Sequence, residues 1–187
     1  RQREVWIDCH VWTDNTDIPA IRYDAKVGEQ VAALHSLYTH LRTISPFANF
    51  KLVVFELNAN RHDLDRALAN ALAIGMMQRL RDEIIVVTSA NALQPDDQND
   101  NGWDQGLLFF NSDGIWAQPA YYVTQMKSDN YLPICIQANV SGRESVTFDV
   151  TATMSADGLT LTLHIVNTID VARTYSINLN GFNPAQE

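Results

Sequence analysis

Glu56 ends the apolar, β-branched run Lys51-Leu52-Val53-Val54-Phe55, and the amides Asn58 and Asn60 follow it at once. A buried strand gains nothing from a terminal carboxylate unless that group pairs with a rim arginine or does chemistry. Amide donors around a carboxylate favour its ionised form, which a nucleophile needs, and they also suit a hydroxyl-rich ligand. An earlier run, Glu4 to Cys9, leads into His10 and Trp12, and a later one, Glu83 to Thr88, into Asn91. An imidazole and an indole beside a strand-end Glu resemble a sugar subsite, with the aromatic face on the ring and the imidazole on hydroxyls. Each alone fits a simpler role, a rim hydrogen-bonder for His10 and a core aromatic for Trp12.

The segment Asp96 to Asp104 raises the question of a cation, because Asp97, Asn99, Asn101 and Gly102 match the opening of an EF-hand loop. The twelfth position is Leu108, where such a loop carries a bidentate Glu, and no helix leads into it. These residues are expected to cap turns and, with Trp103, to shape a substrate loop. No metal site and no cofactor are expected, since the chain has no Gly-rich phosphate loop, no nucleophile-elbow Ser and no His pair at metal spacing.

The elements that must position these groups are legible from periodicity. Val27, Val31, Leu34, Tyr38 and Leu41 recur at helical spacing and predict a helix ending before Pro46. From about Asp63 a second helix carries Leu64, Leu68 and Leu72, with Ala67, Ala71 and Ile74 one position round, and Arg79 and Arg81 complement its C-terminal dipole. Three apolar strands alternating with two helices indicate a parallel sheet covered on both faces, one arc of a (β/α) barrel with its chemistry at the C-terminal strand ends. Such an arc is a poor domain alone, so earlier strands of a larger barrel are expected to lie outside this chain. A long loop, Ala92 to Asp113, then precedes a short helix within Pro119 to Asn130, with Pro at its first turn.

The pattern changes near Leu132. Val146, Phe148, Val150 and Ala152 alternate with polar residues, as do Leu159, Leu161, Leu163 and Ile165, with turns at Ser141-Gly142 and Asp157-Gly158 and a further strand from Arg173 to Leu179. The expected architecture is α/β plus all-β. Residues 1–131 would be the last three βα units of a TIM barrel, and 132–187 an incomplete antiparallel, jelly-roll-like β-sandwich.

Composition narrows the partners. With 13 Lys plus Arg against 22 Asp plus Glu, the net charge of -9 argues against nucleic acid and anionic membranes. No apolar run approaches the roughly 20 residues of a membrane span. Cys9 and Cys135 lack paired spacing, and both read as small buried apolar residues with no disulfide between them.

Taken in order, Trp6-Ile7-Asp8-Cys9-His10-Val11-Trp12, Val54-Phe55-Glu56-Leu57-Asn58, Ser89-Ala90-Asn91-Ala92-Leu93-Gln94-Pro95 and Asn101-Gly102-Trp103-Asp104-Gln105-Gly106 resemble the C-terminal portion of glycoside hydrolase family 51, the retaining α-L-arabinofuranosidases. The resemblance covers most of residues 4 to 135 and thins beyond. It implies a (β/α)8 barrel with a C-terminal jelly roll, Glu56 as nucleophile at the end of barrel strand seven, and His10 and Trp12 at the end of strand six. Trp12 stands where Tyr is more usual. It also implies Asn91 as the amide after strand eight, where other members carry Gln, with Gln94 as the second candidate. Asn58 and Trp103 complete the expected substrate contacts. The family's acid/base Glu lies at the end of strand four, and no segment here matches that strand. The chain alone is therefore expected to be inactive, its partners being an arabinose-containing oligosaccharide or polysaccharide and the rest of the barrel; an oligomer is left open. A secreted or periplasmic location suits polymer degradation better than a cytoplasmic one. Two rival readings remain, a non-catalytic carbohydrate-binding or structural fragment and a related barrel glycosidase acting on pyranosides.

Overall fold

A computed structural model describes residues 3–13, 23–59, 61–98, 104–141 and 148–183. Its first unit is β1 (Glu4–Trp12), α1 (Tyr23–Ile44), β2 (Asn49–Asn58), α2 (Leu64–Arg79) and β3 (Ile84–Ser89). The strands pair in parallel in the order β1-β2-β3, as two consecutive strand-helix-strand crossovers require. Val27, Val31 and Leu34 of α1 and Leu72 and Met77 of α2 join Val11, Leu52, Val54, Leu57 and Ile84 in one apolar cluster. Both helices therefore lie on one side of the sheet.

Coverage of both sheet faces was the expectation, and among the described residues it does not hold. Trp6, Phe55 and Ile85 are exposed although Val53 is buried, and β1 is largely open to solvent. A parallel sheet buries its second face only against another layer, and the described residues place none there.

Helix α2 starts where Asp63 caps it, accepting a hydrogen bond from the Arg66 N–H at 3.1 Å. It is buried over most of its circumference, through Ala67, Ala69, Ala71, Ala73 and Gly75, because neighbouring layers approach from several sides. Leu64, expected on its apolar stripe, is 65% exposed at the first turn, N-terminal to that contact.

The stretch 92–113, expected to be a loop, folds into most of a small sheet instead. Strands β4 (Leu93–Pro95) and β5 (Leu108–Phe110) pair in parallel, and β6 (Ile115–Ala117) pairs antiparallel with β5. These strands are too short to show a period. Helix α3 (Pro119–Asp129) follows with Pro at its first turn.

The third sheet is antiparallel, β7 (Ile134–Ile136), β8 (Phe148–Met154) and β9 (Leu161–Asn167) in that order. The Asp157-Gly158 turn joins β8 and β9, with Gly158 at φ 74°, a conformation glycine adopts without penalty. Val146 and Gly142 lie outside the described residues. Residues 173–179 form no strand, contrary to their pattern. Side-chain alternation cannot make a strand without a ladder partner, although Tyr175 still stacks on Phe148 with ring centroids 3.7 Å apart.

The alternation of β8 is present, but its polar face is the one that meets the helices. Asp149 and Thr151 are bonded by Arg79 of α2, while Phe148 and Ala152 are buried on the opposite face. Cys9 and Cys135 are both free thiols, and burial together with the Asp8 charge pushes the Cys9 thiol up. No helix among the described residues is long and apolar enough to cross a membrane.

Candidate active site at the strand ends

Leu52 and Val54 of β2 point into the helix-side core, and strict alternation would send Glu56 after them. The strand does otherwise. The pairing register shifts between Val54 and Leu57 against β3, and between Asp8 and His10 against β1, so that Leu57 is the next core residue. An irregularity of this kind inserts one extra residue and re-aims the side chains beyond it. It carries Glu56 off the core side, where its side chain is 35% exposed, and sets it opposite His10.

Two donors then converge on one oxygen of Glu56. His10 Nδ1 lies 3.2 Å from Oε2, and Asn58 Nδ2 donates to the same atom at 2.9 Å. Oε1 has no hydrogen-bond partner among the described residues. The far nitrogen of His10, Nε2, is 3.3 Å from Asp8 Oδ2, and the other Asp8 oxygen accepts the Phe55 N–H at 3.2 Å. An imidazole ring is thus held between two carboxylates, one of which also pins the irregular part of β2. Asp8 escaped the sequence reading, yet its signal was there. Two residues before His10 on a strand means the same face.

Asn58, expected to touch substrate, lies beneath Glu56. It is fully buried, its carbonyl accepts the Thr13 N–H at 2.8 Å, and Thr13 Oγ1 also reaches Asn70 Oδ1 of α2 at 3.1 Å. Asn58 therefore addresses Glu56 from beneath through Nδ2, while its Oδ1 is buried without a hydrogen-bond partner among the described residues. Thr13 and Asn70, both buried, form the polar support under this strand end, which no periodicity announces.

Gln94, the second candidate amide, is also committed within the protein. It is 3% exposed, and its Oε1 accepts the N–H groups of Gln105 (3.1 Å) and Gly106 (2.8 Å). Its amide closes the turn between β4 and β5, a task that leaves its acceptor committed. Buried Arg66 of α2 holds the same turn through the carbonyls of Gln105 at 2.6 Å and Gly106 at 3.5 Å. His62 Nε2 adds a contact to Asp104 Oδ1 at 2.8 Å.

Asn91 is the first candidate for a ligand-facing amide. It is exposed two residues beyond Ser89, the partner of Leu57, and its side chain makes no hydrogen bond among the described residues. Trp12 is half-buried at the end of β1, where Gln30 of α1 binds both its N–H and its carbonyl. Asn60, Asn99, Asn101, Gly102 and Trp103 lie outside the described residues.

Glu56, His10, Trp12 and Asn91 thus share one end of the first sheet, open to solvent. A cleft of about 690 Å³ lies elsewhere, between α2, β3 and α3, and none of these four lines it. Among the described residues, no group of three or more His, Cys, Asp or Glu could hold a metal ion. Chemically the site offers a carboxylate with one oxygen fixed and the other presented outward, beside an imidazole and exposed polar and aromatic groups.

No family model and no curated protein matches the chain. Solved structures do. The α-L-arabinofuranosidase of Thermotoga maritima in an arabinose complex superposes with a TM-score of 0.60 at 13% identity over 87% of this chain. The thermostable family 51 α-L-arabinofuranosidase of Thermotoga petrophila RKU-1 gives 0.60 at 13% identity over the same share. An arabinose-bound family 51 α-L-arabinofuranosidase, MgGH51, gives 0.57 at 12% identity. This chain spans 38%, 38% and 26% of those proteins respectively. The likeness is one of fold, a mixed α/β portion of glycosidase chains.

Proposed function

We propose that this chain carries the nucleophile side of a retaining glycosidase that releases terminal α-L-arabinofuranosyl residues, built on the last strands of a TIM barrel and part of a jelly roll. The observation that carries the reading is the fixing of Glu56. His10 and Asn58 hold Oε2, and Oε1 is left to attack an anomeric carbon. His10, Trp12 and Asn91 frame the sugar, and the arabinose-binding neighbours supply the substrate class.

In the reaction, Glu56 Oε1 attacks the anomeric carbon and the C–O bond to the leaving group breaks as a second carboxyl protonates that oxygen, giving a covalent arabinosyl-enzyme. Water activated by the same carboxyl then releases the sugar. Retention needs that carboxyl roughly 5 to 5.5 Å from the first. Asp8 does not serve, because His10 stands between it and Glu56 and its oxygens are spent on His10 and the Phe55 N–H. The reading assigns the acid/base to a further carboxyl of the complete barrel.

The two half-reactions can be separated. The dinitrophenolate of a 2,4-dinitrophenyl arabinofuranoside departs without acid assistance, so the purified chain should form the glycosyl-enzyme and then stall. Mass spectrometry is expected to find one anhydropentose on Glu56, with no sustained turnover and no adduct in Glu56→Gln. Absence of the adduct, or turnover that survives Glu56→Gln, refutes the proposal. Sugar binding unchanged by both Glu56→Gln and Trp12→Ala, without an adduct, would favour a carbohydrate-binding fragment.

A further inference from the structure

The seam between the helices and the β7–β9 sheet is polar, tightly packed and incompletely paired. Arg79 of α2 donates to both oxygens of Asp149, at 3.0 and 2.7 Å, and to Thr151 Oγ1 at 2.8 Å. A Cβ on Gly75 would fall 2.7 Å from Thr151 Oγ1, 3.2 Å from Asp149 Oδ2 and 3.5 Å from Lys127 Nζ, so three polar atoms converge over one glycine. Lys127 reaches this point from α3, and His164 from β9, directly across from Thr151. Among the described residues, Lys127 Nζ, both ring nitrogens of His164 and Thr153 Oγ1 are buried without a hydrogen-bond partner.

The charges do not balance. Asp149 is engaged by Arg79, and no anion among the described residues is bonded to the buried Lys127 ammonium. Such a charge is costly, and the less costly state is the neutral amine. We propose that this seam is a proton-sensitive joint, in which neutral Lys127 lets the β7–β9 sheet seat on α2 and α3 and protonation of Lys127 loosens it.

The groups facing Lys127 are Arg79 from α2, Asp149 from β8 and His164 from β9, with Arg81 and Asp82 lining the cleft along its stem. Burial, with Arg79 adding and Asp149 opposing, brings the amine from its ordinary 10.5 down to about 8. The unfolded chain therefore binds this proton more tightly than the folded one. The penalty is full below about pH 8 and is relieved as pH rises toward 10.5. Burial and then Lys127 lower His164 as well, so acidification through its ordinary 6.5 loosens the seam further.

The test is urea unfolding of the full chain, compared with Lys127→Met at each pH. The wild-type folding constant, taken relative to the variant, should rise roughly 30-fold between about pH 7 and about pH 9.5. The comparison cancels Cys9, whose raised thiol acts in the opposite direction in both proteins. A ratio constant within about threefold would overturn the proposal. If Lys127→Met fails to fold, the ¹³Cε resonance of Lys127 in the wild type decides directly. A midpoint near 8 supports the joint, and one near the ordinary 10.5 refutes it. Chloride and formate supply the last arm. Wild-type-selective stabilisation by either anion, with the Lys127 midpoint returned to its ordinary range, would mean that the amine is a charged anion site, against the proposal; no effect supports it.

Discussion

Gly75→Ala pits two well-known effects against each other. Within α2 alone, Ala in place of Gly should stabilise by about 1 kcal/mol, because Gly is a poor helix residue. The seam opposes this. The new methyl would lie 2.7 Å from Thr151 Oγ1 and 3.2 Å from Asp149 Oδ2, so either Thr151 turns away or the layers part. Turning Thr151 gives up the 2.8 Å bond from the Arg79 guanidinium, about 1.5–3 kcal/mol for a hydrogen bond to a charged group. Parting the layers brings an overpacking cost of about 1–3 kcal/mol. Either cost exceeds the helix gain, and a net loss of about 1 kcal/mol is expected from urea unfolding. Gly28→Ala in α1 is the control, since nothing lies within 4 Å of its Cβ; it should stabilise by about 0.5–1 kcal/mol. Thr151→Ala removes the obstructing oxygen and should make the two substitutions in the double variant markedly non-additive. If Gly75→Ala stabilises as much as Gly28→Ala, the close approach of the layers is wrong, and the seam with it.

Two further perturbations probe the scaffold of the site. Gln94→Ala strands the Gln105 and Gly106 N–H groups that its side chain satisfies, and should cost about 2–3 kcal/mol in urea unfolding; a loss below about 0.5 kcal/mol would mean the turn closes without it. Asp63→Ala removes the cap of α2 and should cost about 1 kcal/mol. Burial alone would raise the Asp63 carboxyl, but hydrogen bonds from the Arg66 N–H and Arg61 outweigh it and hold it below 3.8. Its contribution is therefore present above pH 3.8 and lost as pH falls through the lowered value. Asp63→Asn should keep the cap and lose this part of the acid sensitivity; an acid limb identical to wild type would contradict it.

Much of this was already written in the chain. The apolar stripe of α1, the alanine-rich α2 and the three apolar strands follow from spacing, because a helix or strand face is set by residues a few positions apart. The same local information placed Glu56 and His10 near the ends of their strands and Asn91 beyond a third, which is why they arrive at one end of a parallel sheet. Pairing and orientation needed the fold. Alternation along β2 would have aimed Glu56 into the core, and only the register shift against β1 and β3 turns it outward. Asn58 and Gln94 looked like ligand amides in sequence, yet neighbours distant in the chain bury both and direct them at Glu56 and at a turn. Residues 173–179 carry strand residues without a ladder, and β8 docks by its polar face because Arg79, Gly75 and Lys127 meet it there. Side-chain pattern determines what each segment can be; contacts between distant segments decide which face is used, and in this protein the candidate nucleophile depends on that second decision.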